Sequence, residues 1–363
     1  MIPALIIFFL LFLLPFIVLP IGISPFESSK VIVAEIAIEL LALVYFYTHP
    51  KQIFKILNTL FGKLIFVLLI LTVIHLPFQI TNNTFFGNAF RLQGIFLLWH
   101  LIVFSVISGN IKLEHIPKWF YPVPLPGLLL GTLLVGLNLN GRSVGTLGEP
   151  NALAATAVFL FPFAFFAYQK NSFKILAFIF TITIILLSGS RSALLALLLE
   201  VLLLFLIQKV KFSFVKAFTV CIMLFSLSLY LPFLQGGGLY ENRAEIWQTA
   251  FYAGSTSPLL GHGFGNATGA LQTAAKSLDN NIKYQFVDSS HNFVLDWWIQ
   301  GGLPGVIMIL FMVSYSFRQF IINKRFLEIT AFLGIITAMS FNPTSVTVLI
   351  AFWWLIGRGF AAS

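Results

Sequence analysis

Charge is the scarcest thing in this chain. Only 9% of its 363 residues are charged, 59% are hydrophobic, and the mean hydropathy is +0.97. A soluble domain carries about 25% charged residues, so this one cannot cover itself with polar surface, and its solvent must be lipid. Cysteine is nearly absent as well. Cys221 stands alone inside an apolar run, which excludes an internal disulfide and says nothing about compartment. Motifs for metal chemistry are lacking: there is no Cys/His cluster with zinc spacing, no HExxH and no DxD motif for a nucleotide sugar. Neither a metal nor a cofactor is expected. The first twenty residues have no basic n-region, and their apolar run is too long for a cleaved signal peptide, so they read as a retained first span.

What the chain has is apolar runs. A spanning helix needs roughly 20 apolar residues, and twelve runs can be read: 2–22, 31–48, 63–80, 92–109, 119–138, 152–168, 173–189, 191–207, 213–232, 292–317, 327–342 and 345–361. The expected fold is an all-α polytopic membrane protein. It has about twelve transmembrane helices in a single domain over 1–363, with one large extracytoplasmic loop, 233–291, before helix ten. The pairs around Arg191 and around Asn342-Pro343 would be tight re-entries. The 42 phenylalanines suit a lipid-facing surface.

The net charge of +9 does not indicate nucleic acid, because the lysines sit in short clusters between apolar runs. With a cytoplasmic N-terminus, 14 of the 21 basic residues fall inside, and the positive-inside rule selects that orientation. Both termini are then cytoplasmic and 233–291 is outside. Lysine follows the gradient, with eleven of fourteen inside. Four of seven arginines (Arg91, Arg142, Arg191 and Arg243) lie outside against it, and each asks for a reason. Guanidinium is the better group for bidentate phosphate binding.

The outer loop ends in DSSHNF (288–293), and a membrane run starts at once. An imidazole at the lip of a bilayer is placed to move protons on a lipid-borne substrate. His291 can act as general base, with Asp288 or Asp296 orienting or activating the ring; the alternative is a helix cap beside a hydrogen-bonded histidine. In SGSRSALL (188–195), Arg191 either snorkels to lipid phosphate or clamps a diphosphate. In YENRAEIW (240–247), Arg243 and Trp247 share a helical face, unless Arg243 merely pairs with Glu241 or Glu245. The run ENRAEIWQTAFYAG (241–254) reads as a short amphipathic helix with Ile246, Trp247, Ala250 and Phe251 on one face. The glycines of PLLGHGFGN (258–266) form a backbone turn that folds the loop over the bundle, with His262 a loop residue. In GTLGEPNALA (145–154), Pro150 opens a span with Asn151 as a cap. Glu35 and Glu39 on one helical face, with His75, His100, Glu200 and Asp296, are ionisable groups inside spans. They sustain a rival reading, a proton-coupled transporter, although no paired halves are visible.

SGSRSALLAL, ENRAEIW, SPLLGHGFG and the run from His291 to QGGLPG come in this order around the outer loop, with LGEPNALA upstream. Together they resemble the O-antigen ligase family of bacterial membrane glycosyltransferases, which includes O-antigen polymerases and protein O-oligosaccharyltransferases. The likeness is best over about 145–305. It implies a multi-pass protein of the bacterial cytoplasmic (inner) membrane that works on the extracytoplasmic side in lipopolysaccharide or other cell-envelope biosynthesis. A glycan would pass from an undecaprenyl diphosphate carrier to a hydroxyl of lipid A core, of another glycan, or of a protein. The family's arginine between two spans matches Arg191, its loop arginine Arg243 and its loop histidine His291. These would be the diphosphate clamp and the base of an inverting, metal-independent transfer. Arg91, Arg142, Glu149, Asn151 and Asp288 would stand at the mouth, where Glu149 could orient a sugar hydroxyl or pair with an outer arginine. Partners are then the lipid-linked donor, a glycan or glycolipid acceptor and membrane lipids, with no nucleic acid. Protein oligosaccharyltransferases often carry an extra C-terminal domain, and the chain stops at Ser363 soon after its last run, so ligase or polymerase is expected.

Overall fold

A computed structural model of the chain describes residues 1–74, 82–139, 141–168, 170–208, 243–280 and 288–361. The expected span 213–232, with Cys221, lies outside the described residues, as do His75, Glu241 and the glycines 236–238. Each of the other apolar runs carries a helix. In chain order these are α1 (Ile2–Phe8, prolonged by tighter and wider turns to Phe16), α2 (Glu27–Thr48), the short α3 (Gln52–Leu57), α4 (Leu60–Ile74) and α5 (Asn82–Phe86). There follow α6 (Ile95–Gly109), α7 (Pro124–Val135), α8 (Pro150–Ala167), α9 (Asn171–Ser188) and α10 (Arg191–Gln208). The last five are α11 (Arg243–Thr256), α12 (Ala267–Ser277), α13 (Phe293–Ile322), α14 (Phe326–Met339) and α15 (Val346–Phe360). Among the described residues, five stretches are long and apolar enough to cross a membrane: α2, Lys118–Val135 ending in α7, α8, α9 and α13. The described strand pair is a two-residue ribbon, Asn138–Leu139 against Arg142–Ser143.

Helix α8 is the centre of the bundle. Every residue from Ala152 to Phe165 is buried, so this helix is apolar all round, as a helix enclosed by others must be. Phenylalanine does much of that filling. Phe12, Phe104, Phe161, Phe165, Phe320 and Phe332 are all inaccessible, while others such as Phe66 (61%) and Phe90 (52%) lie on the outside. A planar ring fills space between helices where a small residue opposite leaves room. Gly357 of α15 shows the complementary device: a Cβ there would lie 2.0 Å from the backbone oxygen of Ser105 on α6, so the two helices touch at their main chains.

The N-termini of α2, α8, α10, α13 and α15 meet the C-termini of α9 and α14 at one end of the bundle, joined by the hydrogen bonds described below. The opposite end is held by Arg325 and Arg358 around Glu328, with Arg325 Nη2 2.6 Å from the carboxylate. Near the first end, α13 is broken. Gly302 has φ +58° and ψ −157°, a conformation open to glycine alone, and it frees the backbone around Gln300. The Pro258–Gly265 loop docks into that break through His262 N to Ile299 O (2.7 Å), Gly263 N to Gln300 O (3.0 Å) and Leu303 N to Pro258 O (2.8 Å). His262 is a loop residue as expected, its Nε2 2.8 Å from Ala253 O and 2.9 Å from the Thr256 hydroxyl.

Helix α11 is amphipathic, but its buried face is Ile246, Thr249, Ala250 and Ala253. Phe251 is 63% exposed and stacks on Trp298 instead of joining Ile246. The cause is Gly254, which lets the Trp298 ring lie where a Cβ would be and so turns the helix by its smallest side.

Candidate functional site

Helix α14 ends at Met339, and its last carbonyls need partners from outside the helix. The turn that follows, Ser340-Phe341-Asn342, finds them in three distant segments. Asn292 Nδ2 donates to Ser340 O at 3.0 Å. Arg243 Nη1 donates to Phe341 O, and its Nη2 lies 3.4 Å from Asn342 Oδ1. The buried Asn342 amide donates to the Ser192 hydroxyl. Asn292 follows His291 and Ser192 follows Arg191, so one turn gathers the three segments that bear Arg191, Arg243 and His291. A guanidinium at a helix C-terminus also opposes the negative end of the helix dipole. Trp247 packs near Phe341, ring centroids 6.1 Å apart, on the face it shares with Arg243.

The main chain around His291 is fixed by its serines. Ser289 Oγ accepts from His291 N (3.1 Å), Ser290 Oγ accepts from Asn292 N (3.2 Å), and Asp296 Oδ1 accepts from Ser290 N (2.8 Å). Asn292 then caps α13, its Oδ1 accepting from Val294 N and Leu295 N. His291 itself has φ +58°, an uncommon conformation for a non-glycine residue, held by that set of bonds. The cap is Asn292; His291 is the residue the cap positions.

The expected mouth residues form two further groups. Arg142 donates from Nε to Ser188 O (2.7 Å) and from Nη2 to Asn151 Oδ1 (2.8 Å). It therefore closes the end of α9, three residues before Arg191, and Gly189 (φ +62°) makes the turn between them. Asn151 is not the cap of α8. The cap position is Glu149, with Pro150 first in the helix, because the Asn151 side chain is taken by Arg142. Arg91, Glu149 and Asp288 make the second group. Arg91 Nε is 2.5 Å from Asp288 Oδ2 and its Nη1 3.2 Å from Glu149 Oε2, and it also donates to Thr344 O at 3.3 Å. Burial opposes the charge on Arg91, but Glu149, Asp288 and Glu27 outweigh it and hold its pKa above the ordinary guanidinium value. Arg91 is thus a fixed cation that ties the base of the His291 segment to the start of α8.

Four groups went unnoticed in the sequence. Glu27 is buried at the start of α2, and its Oε1 accepts from Val346 N (2.7 Å) at the start of α15. Gln93 bridges Glu27 Oε1 (3.1 Å) and Thr344 O (2.9 Å). Lys30, wholly buried, donates to Phe26 O (2.9 Å) and Thr146 O (2.7 Å). Asn342 is the fourth. Lys30 carried a usable signal, since it is an outer lysine against the same gradient as the arginines; Asn342 stood in a turn already expected to be tight.

Beside the His291 segment lies a cavity of about 150 Å³. Asn88, Arg91 and Asp288 form its polar wall, and Leu97, Trp297 and Phe352 its apolar one. Among the described residues no three His, Cys, Asp or Glu side chains cluster as metal ligands.

The matched family completes the picture. Residues 176–310 fit the family model described as O-antigen ligase. This stretch resembles an O-antigen ligase domain. A search of curated proteins finds no match. Arg191, Arg243, Asp288 and His291 all fall within the O-antigen ligase match, whereas Arg91, Arg142, Glu149, Asn151 and the turn at Asn342 lie outside it. The ligase segment thus supplies α10, α11 and the start of α13, and helices before and after it supply what holds them together. O-antigen ligases and the polymerases grouped with them are membrane glycosyltransferases, and the apolar helices here accord with that class.

Proposed function

We propose that the chain transfers a glycan from an undecaprenyl diphosphate carrier to an acceptor hydroxyl, by a single inverting displacement without a metal, on the extracytoplasmic side of the inner membrane. The observation that carries this is the turn Ser340-Phe341-Asn342, which binds Arg243 directly and the neighbours of Arg191 and His291 through side-chain hydrogen bonds.

His291 takes the proton from the acceptor O–H as that oxygen attacks the anomeric carbon. The new C–O bond forms while the bond from carbon to the diphosphate oxygen breaks, and the electron pair leaves on the diphosphate. Arg191 and Arg243 meet the negative charge that develops there. Each guanidinium offers five donors in a fork, and Arg243 gives one from Nη1 and one from Nη2 to the turn after α14. Arg142 and the Arg91 cluster hold the frame of the mouth. The acceptor is lipid A core or another cell-surface glycan.

The test is transfer by the purified protein from a synthetic lipid-diphosphate glycan in EDTA. Loss of transfer in His291→Ala, Arg191→Ala and Arg243→Ala, with full wild-type rate in EDTA, supports the reading. Full activity of His291→Ala, or strict dependence on a divalent ion, overturns it. Mass analysis of the product separates one added glycan from a chain-length ladder, and so ligase from polymerase.

A further inference from the structure

Glu35 and Glu39 lie one turn apart on α2, a helix of 22 residues that is among those able to cross a membrane. At 1.5 Å per residue they stand about 12 and 18 Å along a helix of about 33 Å, close to the middle of a ~30 Å hydrocarbon core. Their position is not explained by the bundle. Glu39 is 58% exposed on its side chain and faces away from the core, and its described partner is His100 of α6, Nε2 3.2 Å from Oε1. His100 Nδ1 is 2.8 Å from Phe96 O, a carbonyl that only accepts, so Nδ1 carries a hydrogen. Glu35, half-buried, has no hydrogen bond among the described residues and shares with Glu39 the one imidazole, His100, whose charge acts on both. Around it Ile36 (53%), Leu40 (52%) and Leu43 (67%) point outward.

Ionisable groups at this depth are rare, and they pair with one another or face a cavity. A glutamate has too short a stem to reach the interface from mid-bilayer. The face therefore sets two carboxyls against one imidazole, and a further basic group would complete the pairing. A second copy of this chain does not supply it, because a two-fold contact would set the same two carboxylates against themselves with only the two histidines between. We propose that the α2–α6 face bearing Glu35, Glu39 and His100 docks a transmembrane helix of another protein that presents a lysine or arginine at mid-bilayer depth. The apolar ridge Ile36–Leu40–Leu43 packs beside it, and the basic group sits between the two carboxylates. This stands independently of the glycan-transfer reading.

The full-length chain, donor-labelled, is reconstituted in phosphatidylcholine vesicles with an acceptor-labelled synthetic helix of about twenty leucines and alanines. One version of the helix has a central lysine, one a central leucine and one a central glutamate. Energy transfer to the lysine helix should reach half-maximum at a helix-to-lipid ratio about tenfold lower than for the other two. The preference should vanish in Glu35→Gln/Glu39→Gln and survive in Glu114→Gln, whose carboxylate pairs with Lys112 on an exposed surface elsewhere. Glu39→Lys, which sets a cation beside Glu35 within the chain, should lose it too; this second variant keeps the test decisive if the glutamine pair lowers the melting temperature. Equal association of the lysine and leucine helices overturns the proposal. So does undiminished lysine-helix binding by Glu39→Lys, or energy transfer between two copies of the chain that disappears with Glu35→Gln/Glu39→Gln.

Discussion

Arg243 and Asn342 meet across 99 positions of sequence, the guanidinium Nη2 3.4 Å from the amide oxygen, while the amide nitrogen of the same Asn342 holds Ser192. One amide thus couples the start of α11 to the start of α10. Replacing it tests whether the two arginines work as a pair. Asn342→Leu should lower the transfer rate by roughly tenfold to a hundredfold, since two positioning hydrogen bonds worth about 1 kcal/mol each are lost and a 1 Å misplacement is costly. Asn342→Asp should act on donor affinity instead, because its carboxylate neutralises Arg243 where the diphosphate would bind. A single-turnover assay at varied donor concentration separates the two effects.

His291 gives a prediction with a sign. As proton acceptor it must be neutral, so the rate should fall as pH is lowered, with protonation of the ring removing the lone pair. His291→Ala should lose a factor of about 10²–10⁴ in rate, and its residual activity should no longer fall on the acid side. Asn292→Ala keeps the imidazole but removes the cap of α13 and the bond to Ser340. It should retain the acid limb at a reduced rate. A pH–rate profile for the three proteins distinguishes proton transfer from mere positioning.

The helices were legible because lipid demands long apolar runs, and among the described residues eleven of those runs carry a helix, though several run past its ends. Arg191, Arg243 and His291 stood out in the sequence because each breaks a local rule: an arginine against the charge gradient, or a histidine at the lip of a span. The framework was not. Glu27 and Val346 are 319 residues apart, and nothing local marks a carboxylate that will serve another helix. Asn151 looked like a cap because the sequence shows its helix start and hides Arg142. The face of α11 was misjudged for a similar reason, since periodicity alone cannot see Trp298 lying on Gly254.

Arg91 separates structure from chemistry. Its raised pKa means that any stability tied to its charge is present below the unfolded-state value and lost only above the folded one. Both lie beyond working pH, so Arg91 stays charged and contributes no pH dependence there. Arg91→Gln leaves Asp288 and Glu149, 14% and 23% exposed, without their cation. Breaking such a pair costs about 3–5 kcal/mol. Arg91→Lys should recover little, because one ammonium cannot follow the fork that reaches Asp288, Glu149 and Thr344 O. Thermal melting in detergent should show both variants well below wild type.

Gly302 gives a purely conformational test. A Cβ there would lie 2.7 Å from Pro258 O and 2.8 Å from Gly261 N, at a backbone angle other residues avoid. Gly302→Ala should therefore expel the Pro258–Gly265 loop from the break in α13. Hydrogen exchange at His262, Gly263 and Leu303, whose amides bond across this contact, should rise together. Unchanged protection at all three would show that the break tolerates a side chain.

Glu200 separates the enzyme from the transporter that the carboxylates inside the spans suggested. Its side chain is wholly buried on α10, and neither carboxyl oxygen has a hydrogen-bond partner among the described residues. Gly334 of α14 makes room for it, since a Cβ there would lie 2.1 Å from Oε1. A buried polar group without a partner costs about 1–3 kcal/mol, and an apolar group of similar shape removes that cost. Glu200→Leu should thus raise the melting temperature and leave glycan transfer intact, whereas Glu200→Gln should raise it little. Gly334→Ala should destabilise the wild type and do so less in a Glu200→Ala background, where the clash with the carboxyl is removed and only the one with Val158 Cγ1 (2.6 Å) remains. A transporter that moves protons through this carboxyl predicts the opposite: in a Glu200→Leu chain as stable as wild type, the biological activity would disappear.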